Sequence, residues 1–282
     1  MDRKGFGHTG VHVPAIGQGT WHMGESRRER EREVAALSLG LDLGLSHIDT
    51  AEMYGNGGAE EVVAAAIRGR RRADFFLVSK VLPRNASYRG TIRAAEQSLR
   101  RLRTDYLDLY LLHWPGSHPV ADTMAAMEAL VAAGKTRFVG VSNFDVGQMR
   151  AAMAALKRER LVCNQVLYNL ATRGIELDLI PMCQQEGIAI VGYTPFGGWP
   201  RPGSKGLNVL SEIGARHGKT ARQIGLRFLT RLPLVFTIPK ASSLEHVREN
   251  AGACGFALTE AETAAIDAAF PAPPHPVPLA MA

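Results

Sequence analysis

The chain repeats one structural unit along most of its length: a short apolar run, a polar loop, and a longer stretch with the apolar periodicity of a helix. The apolar runs are the one that ends at Thr20 and those at residues 46–49, 75–80, 107–113, 138–142, 162–166, 189–193 and 235–239. Helical patterns follow at 34–41, 60–68, 88–102, 120–133, 145–156, 176–186, 207–217, 221–229 and 244–254. Apolar strands separated by helices imply a parallel sheet covered by helices. Eight such units predict a closed (β/α)8 barrel.

An open, doubly wound sheet is the alternative fold, but no Gly-x-Gly-x-x-Gly motif follows the first strand. We therefore predict an α/β protein with a TIM-barrel fold. No linker interrupts the repeat, so residues 1–282 are predicted to form a single domain.

Segments outside the repeat predict three additions to the barrel. Residues 3–20 are expected to form a hairpin that turns at Gly10 and could plug the bottom of the barrel. The mixed-charge residues 25–32 are expected to be the exposed first half of the first helix, which Gly44 ends. An extra C-terminal helix is predicted over 259–270, followed by an irregular, proline-rich tail.

Composition excludes several classes of protein. The net charge is +6, yet there is no zinc finger, aromatic RNA-binding signature or basic tail, so we expect no nucleic acid partner. The three cysteines, Cys163, Cys183 and Cys254, make no metal or redox pattern. No signal peptide or membrane span is recognised. A cytoplasmic protein with reduced thiols is expected, and it is predicted to be a monomer without a bound metal.

Four side chains at or near the ends of successive predicted strands share a chemical theme. Asp49, Lys80 and His113 end three of the strands, and Tyr54 lies in the loop after Asp49. Barrel enzymes carry their chemistry at this edge. A buried Asp and Lys on adjacent strands should pair, because an unpaired buried charge is costly. The ammonium is then expected to lower the pKa of the Tyr54 phenol, which titrates at about 10 when free, and to make it a general acid.

His113 completes this set, because a histidine can donate a hydrogen bond that polarises a carbonyl oxygen. Taken singly, each residue has an ordinary structural explanation: Lys80 as a snorkelling surface charge, His113 as a core histidine, Asp49 as a turn cap. Together they are the parts for carbonyl reduction. No side chain supplies a hydride, so a nicotinamide cofactor is required.

The chain resembles the aldo-keto reductase family from Gly19 to Asn250. The motifs that carry the resemblance are Asp49-Thr50-Ala51-x-x-Tyr54-Gly55, Ser79-Lys80, Leu112-His113-Trp114-Pro115, Gly140-Val141-Ser142-Asn143-Phe144, Asn164-Gln165, Tyr193-x-Pro195 and Ile238-Pro239-Lys240. The family's catalytic Asp, Tyr, Lys and His fall on Asp49, Tyr54, Lys80 and His113. The resemblance implies a short, bacterial-type member that uses NADP(H).

The resemblance also implies which residues bind the cofactor. Ser142, Asn143 and Gln165 would hold the carboxamide, and Tyr193 would stack on the nicotinamide ring. The full set of implied cofactor contacts is Thr20, Trp21, Asp49, Ser142, Asn143, Gln165, Tyr193, Thr194, Pro195, Phe196, Ile238, Pro239, Lys240, Ala241, Ser242, His246, Glu249 and Asn250.

One position departs from the family pattern. NADPH-preferring members usually carry Arg six residues after the Lys that contacts the 2′-phosphate, and this chain has His246 after Lys240. Histidine is a weaker phosphate partner than arginine. We expect NADPH to be preferred, with NADH also usable.

The substrate pocket is expected to be lined by Trp21, Met23, Tyr54, His113 and Trp114, with aromatic walls that suit small-molecule aldehydes and ketones. A short tail and a short loop after the fourth strand predict an open pocket and broad selectivity. The glycine-rich loop 197–206 is a candidate cofactor clamp, with Trp199 as a candidate cover for the site. The alternatives are a selective keto-sugar or diketone reductase of the same family, and a cofactor-bound regulatory subunit without catalysis.

Overall fold

The computed structural model describes all residues, 1–282, and shows the predicted barrel. Eight parallel strands pair in chain order, each with the next. They are β3 (Gln18–Gly19), β4 (His47–Asp49), β5 (Phe76–Val81), β6 (Leu107–Leu112), β7 (Thr136–Ser142), β8 (Leu161–Leu167), β9 (Ala189–Tyr193) and β10 (Val235–Thr237). Parallel bridges from Ile16 to Thr237 and from Gly19 to Lys240 join the first strand to the last. The sheet therefore closes, and the open-sheet alternative is wrong.

Helices cover the outside of this sheet, as predicted. They are α1 (Arg30–Asp42), α2 (Gly58–Ala66), α3 (Tyr88–Leu102), α4 (Val120–Ala132), α5 (Val146–Ala155), α6 (Leu179–Glu186), α7 (Lys205–His217), α8 (Ala221–Leu229), α9 (Leu244–Ala251) and the additional α10 (Glu260–Ala269). Local sequence explains several starts: Asp145, Thr220 and Thr259 each form a capping box with the residue three positions later. The prediction for residues 25–32 was wrong in part, because α1 begins only at Arg30.

The two larger of three apolar clusters lie on the two sides of the sheet. A cluster of 46 buried residues fills the space between strands and helices, and a cluster of 12 fills the inside of the barrel. The N-terminal hairpin, β1 (Arg3–Gly5) and β2 (His12–Pro14), turns at Gly10 and places Phe6 in the inner cluster. The Phe6 ring lies 4.9 Å from the Phe76 ring and 5.0 Å from the Phe236 ring. Phe76 is the first residue of β5 and Phe236 is the second residue of β10, so the hairpin plugs the bottom of the barrel.

Strand register determines which side chains meet at the other end. Asp49 is the last residue of β4, Lys80 lies next to last in β5, and His113 directly follows β6. Further around the barrel, Ser142 of β7 pairs with Gln165 of β8. All of these positions are at the carboxyl edge of the sheet, where the polar side chains predicted to act together come into reach of one another.

Candidate active site

A buried ion pair forms the centre of the mouth. The Nζ atom of Lys80 lies 2.5 Å from Oδ1 of Asp49, and both side chains are almost fully buried. The same ammonium donates a hydrogen bond to the Thr50 carbonyl oxygen, at 2.9 Å, and one to the Tyr54 hydroxyl, at 3.3 Å. All three donor hydrogens of Lys80 thus have an acceptor, which compensates the desolvation of the charge. The predicted meeting of Asp49, Lys80 and Tyr54 is observed in the structure.

A tight turn brings Tyr54 back over the barrel. Residues Tyr54–Gly57 form a short 3-10 turn in which Gly55 and Asn56 have left-handed backbones, with φ of 56° and 52°. A Cβ atom on Gly55 would lie only 2.9 Å from the Met23 carbonyl oxygen. Glycine is therefore needed here both for its backbone conformation and for the close approach of the neighbouring loop. This explains physically why Gly follows Tyr in the motif.

Charge and burial act in opposite directions on these groups. Burial alone would lower the pKa of Lys80, but the Asp49 carboxylate and the Tyr54 hydroxyl outweigh it and raise the pKa above the usual lysine value. Lys80 therefore stays protonated. Burial raises the pKa of Tyr54; the Lys80 ammonium lowers it without outweighing burial, and the Asp49 charge raises it further. The prediction of a lowered phenol pKa was wrong in its net direction. The phenol keeps its proton at neutral pH, as a proton donor must.

His113 lies beside the phenol and is uncharged. Its ring centroid is 5.7 Å from that of Tyr54 and 4.7 Å from that of Trp114. Burial, and then the charge of Lys80, lower the pKa of His113 to about 2. Its Nδ1 atom is buried without a hydrogen-bond partner. An orphaned lone pair costs less than an orphaned N–H, so we place the proton of the neutral ring on Nε2.

Next to this centre lies a chain of amides and hydroxyls. The Gln165 side chain donates from Nε2 to Oδ2 of Asp49, at 2.8 Å, and the Ser142 hydroxyl donates to the backbone carbonyl oxygen of Gln165, also at 2.8 Å. Tyr193 donates its hydroxyl proton to Oδ1 of Asn143, at 2.9 Å. Asn143 adopts a left-handed backbone with φ of 61°, which turns its amide toward the mouth. These groups are held in place before any ligand binds.

A cavity of about 440 Å³ connects these groups. Its lining contains most of the predicted residues: Thr20, Trp21, Asp49, Tyr54, His113, Trp114, Ser142, Asn143, Gln165, Tyr193, Thr194, Pro195, Phe196, Ile238 and Lys240. Trp21, which is 47% exposed, stands edge-on to the Tyr54 ring at 4.9 Å. Tyr54 and Lys240 therefore line one and the same cavity.

Met23 was wrongly predicted as part of this pocket. Its side chain is fully buried in the outer core, and Met53, the residue before Tyr54, lines the cavity instead. Met281 and Ala282 also line it, and the Ala282 backbone N–H lies 3.4 Å from the Tyr193 hydroxyl. The irregular tail thus folds across the mouth, which is less open than predicted. The place of Met53 in the cavity could have been predicted from its position next to Tyr54, whereas nothing in the sequence indicates the path of the tail.

The predicted adenosine end lies on the loop after β10 and on α9. Pro239 accepts a hydrogen bond from the Gly19 backbone, and Lys240 donates to the Ser242 hydroxyl at 3.0 Å. The remaining residues of this set are placed as follows: Ala241 half-buried in the loop, His246 exposed in the first turn of α9, and Glu249 and Asn250 in its last turns, with Asn250 buried. The Glu249 carboxylate accepts a hydrogen bond from Thr220 at 2.8 Å. None of these four lines the cavity.

Trp199 does not cover the site. Its ring packs edge-on to Phe196 at 5.4 Å, lies close to Gly225 of α8, and has the Arg222 guanidinium 5.3 Å from its centre. The glycine-rich loop that contains Trp199 is therefore anchored to α8, and only its first residue, Gly197, lines the cavity. No cluster of three or more potential metal ligands is present anywhere in the chain. None of the helices combines the length and the apolar character that a membrane span requires.

The buried Asp–Lys–Tyr set and the neighbouring amides and hydroxyls at the mouth define a barrel enzyme with a proton donor beside a site for a polar ligand. The sequence model of the aldo/keto reductase family matches residues 15–270. Methylglyoxal reductase YeaE of Escherichia coli is 49% identical over 265 residues, which cover 93% of each chain. Glyoxal reductase of Bacillus subtilis is 34% identical over 263 residues, 93% of this chain and 90% of its own.

A solved structure agrees with these relatives. The aldo/keto reductase of Klebsiella pneumoniae, crystallised with NADP and acetate, superposes with a TM-score of 0.92 at 46% identity and full coverage of both chains. The chain belongs to the aldo/keto reductase family. It is an NADP(H)-dependent oxidoreductase that reduces carbonyl groups, so the predicted family, fold, activity and cofactor are confirmed.

Proposed function

We propose that this reductase acts on small aldehydes and ketones, with 2-oxoaldehydes such as methylglyoxal as its preferred substrates, and that Tyr54 is its proton donor. One observation carries the proton-donor assignment: Lys80 bridges Asp49 and the Tyr54 hydroxyl at the carboxyl end of the barrel. The names of two relatives, a methylglyoxal reductase and a glyoxal reductase, support the substrate class.

The residues present fit a nicotinamide cofactor. The carboxamide needs both donors and acceptors, which the Ser142 hydroxyl and the Asn143 and Gln165 amides offer, and the half-buried Tyr193 offers an aromatic face. The bound cofactor would supply a hydride to the carbonyl carbon. Lys240, at the far end of the cavity, would meet the phosphate of the adenosine half.

The side chains of the protein supply the proton, orient the substrate and limit access of water. Tyr54 gives its proton to the carbonyl oxygen as negative charge develops there, and Lys80 stabilises the phenolate that is left. Asp49 keeps Lys80 charged and in position. His113, neutral and protonated on Nε2, donates a hydrogen bond that orients the carbonyl oxygen. Trp21 and Trp114 form apolar walls that limit access of water.

A substrate panel tests the proposed class. With NADPH in excess, kcat/KM should be highest for methylglyoxal and glyoxal, and at least about tenfold lower for a keto-sugar acid, because a large polar chain does not suit a cavity half lined by apolar side chains and narrowed by the tail. A keto-sugar acid reduced as efficiently as methylglyoxal would support the selective sugar reductase instead.

A comparison of kcat/KM with NADPH and NADH tests the cofactor preference. We expect NADPH to be preferred, but less strongly than by a relative with Arg at the position of His246. Equal or better use of NADH would contradict this expectation.

We also propose a cytoplasmic monomer that does not bind nucleic acid. Cys163 and Cys183 are buried free thiols, which suits a reducing compartment. Light scattering on the purified protein should give the mass of one 30.5 kDa chain; a mass of two chains would contradict the monomer.

A further inference from the structure

We infer that Arg32 is the second cation for the 2′-phosphate of NADPH and takes the place of the arginine missing at position 246. The inference rests on the proposed cofactor site at Lys240. Arg32 lies in the first turn of α1, far from Lys240 in sequence, and its Nε atom donates a hydrogen bond to the Ser242 carbonyl oxygen at 2.8 Å. This contact fixes the guanidinium beside the loop that leads into α9.

Ser242 links the two positive side chains. Its hydroxyl accepts a hydrogen bond from Lys240, at 3.0 Å, and its carbonyl accepts the one from Arg32. Both positive side chains hydrogen-bond to the same residue, so an anion that approaches Ser242 is attracted by both charges. A phosphate monoester carries the charge and the acceptor oxygens that suit such a pair.

His246 is a poor candidate for the same task. It is exposed in the first turn of α9. A histidine side chain lacks the permanently charged, planar fork of arginine. Arg32 therefore offers, from a different helix, the guanidinium that position 246 does not.

Glu29 should weaken the attraction between Arg32 and a phosphate. Its carboxylate lies 3.0 Å from Nη1 of Arg32, and both side chains are about half exposed. An exposed pair of this kind is weak, so an incoming phosphate can replace it. The nearby negative charge should nevertheless oppose phosphate binding. Removing it should therefore tighten NADPH binding, which gives the inference a second, opposite test.

The experiment measures dissociation constants for NADPH and NADH by quenching of tryptophan fluorescence. Arg32→Gln should weaken NADPH binding about five- to tenfold and NADH binding less than about twofold, because only NADPH carries the 2′-phosphate. Glu29→Gln should tighten NADPH binding without changing NADH binding. Arg28→Gln is the matched control, since Arg28 is an exposed arginine of the same segment whose side chain makes no ion pair or hydrogen bond.

Two outcomes would overturn the role of Arg32: an NADPH affinity of Arg32→Gln that equals that of Arg28→Gln, or an equal loss of affinity for both cofactors. Lys240→Gln separates this failure from failure of the site itself. If Lys240→Gln loses NADPH affinity selectively while Arg32→Gln does not, the phosphate site is correct and Arg32 is not part of it. If neither variant loses affinity, the proposed phosphate site at Lys240 is also wrong.

Discussion

Both ends of the barrel bury polar side chains inside the sheet, but those at the mouth have a charged partner and the one at the bottom has none. At the mouth, Asp49 and Lys80 form a buried ion pair, in which burial raises the pKa of Asp49 against the lowering effect of the Lys80 charge, while Asp49 keeps Lys80 protonated. At the bottom, His47 lies on the same strand only two residues from Asp49, and both of its ring nitrogens lack a partner. Burial, and then the charge of Lys80, lower the pKa of His47 to about 3, so it stays neutral. A buried charge is kept only where a partner is supplied.

This difference predicts a large effect of Lys80→Met at the mouth. The substitution leaves the buried Asp49 carboxylate with its hydrogen bond from Gln165 but without an opposite charge, so the free energy of unfolding should fall by about 3–5 kcal/mol. Turnover should also fall at least about a hundredfold, because the group that stabilises the phenolate is gone. Urea unfolding and steady-state kinetics measure the two effects.

A double variant separates the stability effect from the catalytic one. Adding Asp49→Asn to Lys80→Met removes the unpaired charge, so stability should recover in large part while activity stays lost. A single Lys80→Met variant as stable as the parent would contradict the account of the ion pair.

At the bottom, the expected effect of a substitution is on stability alone. Phe6→Ala should lower the free energy of unfolding by about 3–5 kcal/mol, because the ring fills the barrel's lower end between Phe76 and Phe236. The kcat/KM of the folded variant should stay within about twofold of the parent, since the plug does not touch the mouth. Phe6→Leu, which keeps most of the apolar volume, should lose much less stability. A selective loss of activity in Phe6→Ala would show that the two ends are coupled.

The smallest expected effect comes from the titration of His47. The pKa of this side chain is lower in the fold than the usual 6.5, so its contribution is complete above pH 6.5 and is lost as the pH falls toward 3. Between pH 7 and pH 5 this costs the parent about 2 kcal/mol. A glutamine at position 47 does not titrate. The free energy of unfolding of His47→Gln should therefore fall by about 2 kcal/mol less than that of the parent between pH 7 and pH 5. Equal pH dependence in both proteins would contradict a neutral buried His47.

Much of the barrel could be predicted because parallel strands buried on both sides read as continuous apolar runs. The pattern of α3 predicted its bounds, Tyr88–Leu102, without error. Residues 25–32 were misread because alternating charge indicates exposure and does not by itself indicate a helix. Glu29, the cap residue of α1, makes no side-chain capping bond that the sequence could have signalled.

The candidate site was predictable where it follows strand ends and not where it depends on packing. Asp49, Lys80 and His113 are recognisable because strand register brings them to one edge. The net pKa direction of Tyr54 was wrong because sequence does not reveal how deeply the phenol is buried. Met23 was misplaced, and Met281 was missed, because neither the loop after β3 nor the tail has a periodic pattern from which a buried face can be read.

Tyr54→Phe tests most directly whether Tyr54 gives the proton at the mouth of the barrel. The substitution removes one hydroxyl and keeps the ring that packs against Trp21 and His113. We predict that kcat/KM for methylglyoxal falls about a thousandfold or more, while the dissociation constant for NADPH changes less than about twofold. A Tyr54→Phe variant that binds NADPH and reduces methylglyoxal at close to the parental rate would contradict the account.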